Sequence, residues 1–350
     1  MAQPRRGGPA PHGMPSSAAG GLQRAWRHRG AIAWMLAPVS LLYGALAGMR
    51  RLLYDRGVLR AERMPVPVVV VGNVVAGGAG KTPVTQAVVH ALRQRGWHPG
   101  VVSRGYGRST SDCREVLADS NAAESGDEPL LIVRSTGVPV FVAPRRAQAA
   151  RALLERHPRT DVLVCDDGLQ HRALARDVEL CVFSEEGIGN GWLLPAGPLR
   201  ERWPRHVDAV LHAGSAPEGA DRAPMGVFAL RRSLASHAVD ASGGKTPLSR
   251  LRGVPVHAVA AIARPAAFFA MLRDQGLALE KATALPDHAD FSDWHAATPP
   301  GMPLVCTEKD AAKLWRTHPE ALAIPLVVDI APAFFDRLHA RLQALRQPSL

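Results

Sequence analysis

The run VPVVVVG (66–72), followed at once by NVVAGGAGKTP (73–83), constrains this 350-residue chain more than any other feature. Four consecutive valines with no polar alternation predict a strand buried on both faces, the kind found in parallel sheets covered by helices. Gly77, Gly78, Ala79 and Gly80 then form a small-residue loop, and Lys81 and Thr82 open a helical pattern over 82–95. Such a loop turns backbone N–H groups onto phosphate oxygens, and the helix N-terminus adds its partial positive charge. In that chemistry Lys81 reaches the outer phosphates of a nucleotide, and the Thr82 hydroxyl binds Mg²⁺. The strict pattern wants glycine six positions before the lysine; Val75 stands there. A second GGKTP (243–247) follows no buried strand and predicts only a turn.

The alternation continues downstream. GVVSRG (100–105), GVPVFVA (137–143), TDVLVCDDG (160–168) and VELCVF (178–183) read as strands, with a helix across 145–156. Strands alternating with helices predict an α/β fold, a doubly wound, mostly parallel sheet like that of phosphate-loop NTPases, over residues 64–231. Residues 232–250 are polar and rich in Ser and Gly, and are expected to form a linker. A second, smaller α/β lobe is expected over 251–350, with strands at 256–263, 303–308 and 324–330 and a helix at 265–276.

Charge separates the first 63 residues from the rest. The net charge is +11, and this segment holds ten arginines and no lysine against Asp55 and Glu62, so most of the excess sits there. Residues 1–22 are rich in Gly, Pro, Ala and Ser and predict a disordered tail. Residues 23–63 bracket the uncharged run AIAWMLAPVSLLYGALAGM (31–49) with arginines. Pro38, Gly44 and Gly48 interrupt it, so a helix or bent helix pair dipping into one leaflet fits better than a cleaved leader or a full span. The competing reading is a helix packed on the protein's own core. An anionic membrane surface is therefore the expected partner, rather than nucleic acid, since aromatics are only 5%. Four scattered cysteines exclude a disulfide framework and a zinc ribbon. No obligate protein partner is evident.

Five further stretches carry chemistry-bearing residues. In CDDGLQH (165–171), Asp166 or Asp167 ends a hydrophobic strand, where such folds hold Mg²⁺, and Gln170 and His171 are substrate-contact candidates. In GDEP (126–129) a carboxylate can accept a proton from an attacking hydroxyl, although on spacing alone an exposed acidic turn is the simpler reading. PDH (286–288) alone is a Pro-Asp turn with a histidine. SRGYGR (103–108) and LLPAGPLRER (193–202) set arginines in loops suited to anions.

Together with TEKD (307–310), these motifs in this order resemble the tetraacyldisaccharide 4′-kinase family, over roughly residues 30–345. The family's loop also lacks the first glycine, which accounts for Val75. Its PDHH is PDHA here, with Ala289 in the last place, leaving Asp287 and His288 as the pair to carry over. The resemblance implies transfer of the γ-phosphoryl of ATP, with Mg²⁺, to the 4′-hydroxyl of an acylated glucosamine disaccharide 1-phosphate at the cytoplasmic face of the inner membrane. It further implies Asp127 as general base assisted by His288, Glu128 near the metal or base, and Lys81 and Thr82 on phosphate and Mg²⁺. By the same resemblance Asp166 and Asp167 are expected to complete the metal shell, and Arg104, Tyr106 and Arg200 to contact headgroup or phosphates. The alternative class is a membrane-attached nucleotide-hydrolysing switch or chaperone; a soluble sugar kinase leaves the anchor unexplained.

Overall fold

The computed structural model describes residues 26–78, 80–297, 299 and 301–346; the tail expected at 1–22 and Ala79 lie outside them. Its elements run α1 (Ala31–Asp55), β1 (Val68–Gly72), α2 (Lys81–Gln94), β2 (Pro99–Ser103), β3 (Arg114–Val116), α3 (Ala122–Ser125), α4 (Asp127–Thr136), β4 (Val140–Val142) and α5 (Arg146–Arg156). Then come β5 (Val162–Asp166), β6 (Val178–Phe183), β7 (Ala209–His212), β8 (Gly226–Leu234), β9 (His237–Val239), β10 (Lys245–Pro247) and β11 (Pro255–Ala260). The chain ends with α6 (Pro265–Asp274), β12 (Ala278–Ala284), β13 (Leu304–Thr307), α7 (Glu308–Leu314), β14 (Leu322–Ile324), β15 (Leu326–Ile330) and α8 (Pro332–Arg346).

Among the described residues, nine strands form the large sheet in the order β15-β8-β7-β6-β1-β5-β2-β4-β3. It is parallel from β8 to β4 and antiparallel only at its two edges, β15 and β3. The valines of β1 alternate as a two-faced core requires. Val69 and Val71 pack with Val84, Val88 and Leu92 of α2, while Val68 and Val70 face Ala150 and Leu153 of α5. The second sheet, β10-β9-β14-β13-β11-β12, belongs to the smaller lobe.

Two domain boundaries differ from expectation. The stretch 232–250 is structured: β8 runs through Leu234, and β9 and β10 pair as a hairpin that includes the second GGKTP. There the Asp240 carboxylate accepts from Ser242 N–H and Gly244 N–H at 2.9 and 2.8 Å, the turn expected of that sequence. The run IPLVVDI divides at Pro325, which has no N–H for a ladder. Residues before it stay in the small sheet, whereas β15 pairs with β8 at the edge of the large one. Helix α8 follows it, burying Phe334, Leu338 and Leu342 in the large core. The smaller lobe is thus an insertion between β8 and β15.

Helix α1 is one continuous helix through Pro38. It buries Ala33 and Ser40 against the segment 193–200: Ser40 Oγ donates to Leu193 O (3.0 Å) and accepts from Ala196 N–H (2.9 Å), and Tyr43 donates to Arg200 O (2.8 Å). The other side presents Met35, Leu41, Leu42, Leu46 and Met49 to the surroundings. By length and composition α1 is able to cross a membrane, yet only 17% of its most apolar stretch is buried in the protein.

Candidate active site

The phosphate loop leaves β1 at Gly72 and enters α2 at Lys81. Gly80 has φ +77°, a left-handed conformation that glycine adopts without steric cost. A side chain there would also strike the Arg232 guanidinium, 2.6 Å from an added Cβ. The loop is braced by the 193–200 segment: Ala76 N–H donates to Pro198 O and Arg200 N–H to Val74 O, both at 2.7 Å. Gln170 braces it from the other side, its amide donating to Asn73 O at 2.9 Å. That bond assigns Gln170 a part in holding the loop, beside its place on the cavity wall.

The two aspartates after β5 have different surroundings. Asp166 is buried and accepts from the Thr85 hydroxyl at 2.8 Å. Burial first, and then the negative charge of Glu128, push its carboxyl up to about 7. Asp167, held at φ +48°, meets Arg200 at 3.2 Å and Lys81 at 3.7 Å. The charge of Glu128 thus adds to the cost of ionising Asp166 beside the phosphate loop, which is what a hard divalent cation would relieve. These donors and Thr82 suit Mg²⁺, whereas Asp167 is already engaged by two cationic side chains. Among the described residues no three His, Cys, Asp or Glu side chains form a ready-made cluster. The rest of a Mg²⁺ shell would come from phosphates and water, as is usual for that ion.

GDEP is not an exposed turn. Asp127 is buried as the first residue of α4, where the helix dipole favours a negative charge. Gly126 precedes it at φ +91°, and a Cβ there would lie 3.0 Å from Gly105 Cα, so the loop carrying Arg104 and Tyr106 packs directly against this turn. Across the lobe boundary, His288 Nδ1 lies 2.9 Å from Asp127 Oδ2. His288 has φ +65°, a strained value for a residue with a side chain. Burial raises the Asp127 carboxyl, but hydrogen bonds and charge from His288 and Lys313 outweigh it and hold the group below the usual carboxylate range.

The family model described as tetraacyldisaccharide-1-P 4′-kinase matches residues 32–343. The chain belongs to this family. It is 66% identical over 333 residues to the tetraacyldisaccharide 4′-kinase of Acidovorax sp. strain JS42, covering 95% of this chain and 97% of that one. It is 58% identical to that of Delftia acidovorans, covering 97% and 99%. A crystal structure of LpxK from Aquifex aeolicus in complex with ATP superposes with a TM-score of 0.78 at 26% identity, covering 89% of this chain and 99% of the other. The phosphate-loop kinase fold is thus shared with that LpxK structure.

In this member a cavity of about 350 Å³ opens between α1 and the loops that follow β2 and β5. Its wall includes the expected Arg104, Tyr106, Glu128, Asp167, Gln170, His171 and Arg200, and brings in Tyr43, Arg50 and Arg146. His171 Nε2 accepts from the Arg146 N–H at 3.3 Å. Burial, then the positive charges of Arg146 and Arg176, lower its imidazole to about 4, so the ring is neutral near neutral pH. Arg146, Lys309 and Lys313 escaped sequence reasoning. The stretch from TEKD through Lys313 held a readable signal in Lys309 and Lys313, two lysines four apart on one helix face.

Proposed function

We propose that the chain transfers the γ-phosphoryl group of ATP to the 4′-hydroxyl of an acylated glucosamine disaccharide 1-phosphate, at the cytoplasmic face of the inner membrane. The observation that carries this reading is the pairing of buried Asp127 with half-buried His288 across the seam between the lobes. A nucleotide-hydrolysing switch has no need of a carboxylate and imidazole joined in this way; a kinase must take a proton from an acceptor hydroxyl. Asp127 removes that proton and His288 orients it. Backbone N–H groups around Gly77, Gly78 and Gly80 hold the phosphates, and Lys81 neutralises charge on the group in transfer. Asp166, Glu128 and Thr82 hold Mg²⁺, which when bound supplies further charge neutralisation on the phosphates.

The cavity walled by Arg104, Tyr106, Arg146, His171 and Arg200 receives the acidic headgroup. The outward leucines and methionines of α1, with the exposed Arg50, Arg51, Arg56 and Arg60, lie on an anionic lipid surface and keep the protein where its acceptor is dissolved. The test is incubation with γ-labelled ATP and the acylated disaccharide 1-phosphate in detergent. Label in the lipid is the expected result; label released only as free phosphate would select the switch instead.

A further inference from the structure

Helix α7 of the smaller lobe points two lysines at the seam. Thr307 starts it, accepting the Asp310 N–H at 3.2 Å and donating its hydroxyl to the Asp310 carboxylate at 2.6 Å. Lys309 and Lys313, one turn apart, then share a face. Lys313 Nζ donates to Asp127 Oδ2 at 2.7 Å and to His288 O at 3.3 Å. Lys309 Nζ lies 3.3 Å from Asp287 Oδ1 and 3.4 Å from His288 Nε2. Both lysine side chains are largely buried, at 20% and 13% exposure.

The ammonium group has donors only, so the ring nitrogen beside it must accept. A proton on Nε2 would point at three more protons, and Asp287 Oδ1, at 3.8 Å, is beyond hydrogen-bond reach. The ring proton therefore belongs on Nδ1, where it is donated to Asp127 Oδ2. Lys313 donates to that same oxygen, and Oδ1 receives neither bond.

We propose that Lys309 and Lys313 are positioning residues: Lys309 selects the Nδ1–H tautomer of His288, and Lys313 pins Asp127 Oδ2, so that Oδ1 is the atom that takes the acceptor's proton. The proposal rests on Asp127 being the base. As the bond between the acceptor oxygen and the γ-phosphorus forms, the bond from phosphorus to the ADP oxygen breaks. ADP keeps that electron pair, and the hydroxyl proton passes to Oδ1. Because both lysines and His288 come from one lobe and Asp127 from the other, the base is aligned only when the lobes meet.

The test uses the full chain. The tautomer is read on the unaltered protein by ¹⁵N NMR of labelled histidine, with the His288 signals identified by their loss in His288→Gln. The Nδ1–H pattern is expected, and it should give way to a mixture or to Nε2–H in Lys309→Met. Lys313→Met should keep the tautomer but lower kcat by about 10–10², with KM for ATP within roughly twofold, and Lys313→Arg should recover part of the loss. An Nε2–H signal in the unaltered protein overturns the role of Lys309, and wild-type kcat in folded Lys313→Met overturns that of Lys313. Wild-type kcat in Asp127→Asn would instead overturn the base assignment itself, leaving the tautomer result standing.

Discussion

The two halves of the active site are built differently. On the large lobe the reacting groups sit on loops tied down by backbone bonds, Ala76 to Pro198, Arg200 to Val74, and Gly168 to Val71 at 3.3 Å. On the smaller lobe, His288, Lys309 and Lys313 reach the seam through side chains alone. The donor half is therefore preorganised whether or not the lobes meet, while the base is completed only by their meeting. Substitutions on the two sides should fail in different ways.

The largest effect belongs to the preorganised half. Lys81→Ala should lower kcat by 10²–10³, or ~3–4 kcal/mol of transition-state stabilisation, with an unchanged melting temperature because the loop is held by backbone bonds. Calorimetry beside steady-state kinetics checks both; a large loss of stability would show that the loop depends on its lysine. At the seam, Asp127→Asn should cost at least ~10² in kcat with little change in KM for ATP. The double variant with His288→Ala should be scarcely worse than the poorer single one, since groups acting as a unit are non-additive. Fully multiplicative losses would mean that the two halves do not cooperate.

How far the sequence revealed this follows the same division. The buried valine run, the glycine loop and the strand-end aspartates are local patterns, so β1, the phosphate loop and the pair Asp166–Asp167 could be read directly, but not which of the two aspartates faces the metal. The seam is not local: Asp127 and Lys313 are 186 positions apart, and no spacing rule joins them. The edge strand β15 was hidden because its hydrophobic run is continuous with β14, and only Pro325 marks where the chain changes sheets. The end of β8, from residue 232, looked like linker because Arg232 and Ser233 are polar, although Arg232 is turned toward the phosphate loop.

Helix α1 extends the comparison beyond the site, since its attached side is polar and specific whereas its free side is merely apolar. Ser40→Val would leave Ala196 N–H without its partner and take one of two donors from Leu193 O, which keeps Gly197 N–H, and should cost ~1–3 kcal/mol, seen as a lower melting temperature. Leu41→Glu, at a position 72% exposed, should leave melting unchanged yet weaken binding to anionic vesicles about tenfold. Equal melting losses in both would show that α1 is simply a core helix. The smallest effect concerns pH. His171 is depressed to about 4 in the fold against about 6.5 when unfolded, so its contribution is present above pH 6.5 and lost as pH falls toward 4. Its partial exposure limits that loss to ~1 kcal/mol at pH 5. His171→Gln should lessen the fall in melting temperature between pH 7 and pH 5; an unchanged fall would place the acid sensitivity elsewhere.

The insertion of the smaller lobe between β8 and β15 bears on the order in which the molecule is made. A ribosome delivers the phosphate loop, then the base, then the entire inserted lobe, and only afterwards the strand and helix that finish the first sheet. Until α8 brings Phe334, Leu338 and Leu342 to that core, the sheet has an open edge at β8 and a bare apolar face. A chain cut short between residues 314 and 331 carries every residue assigned to chemistry and still lacks the helix that closes its first core.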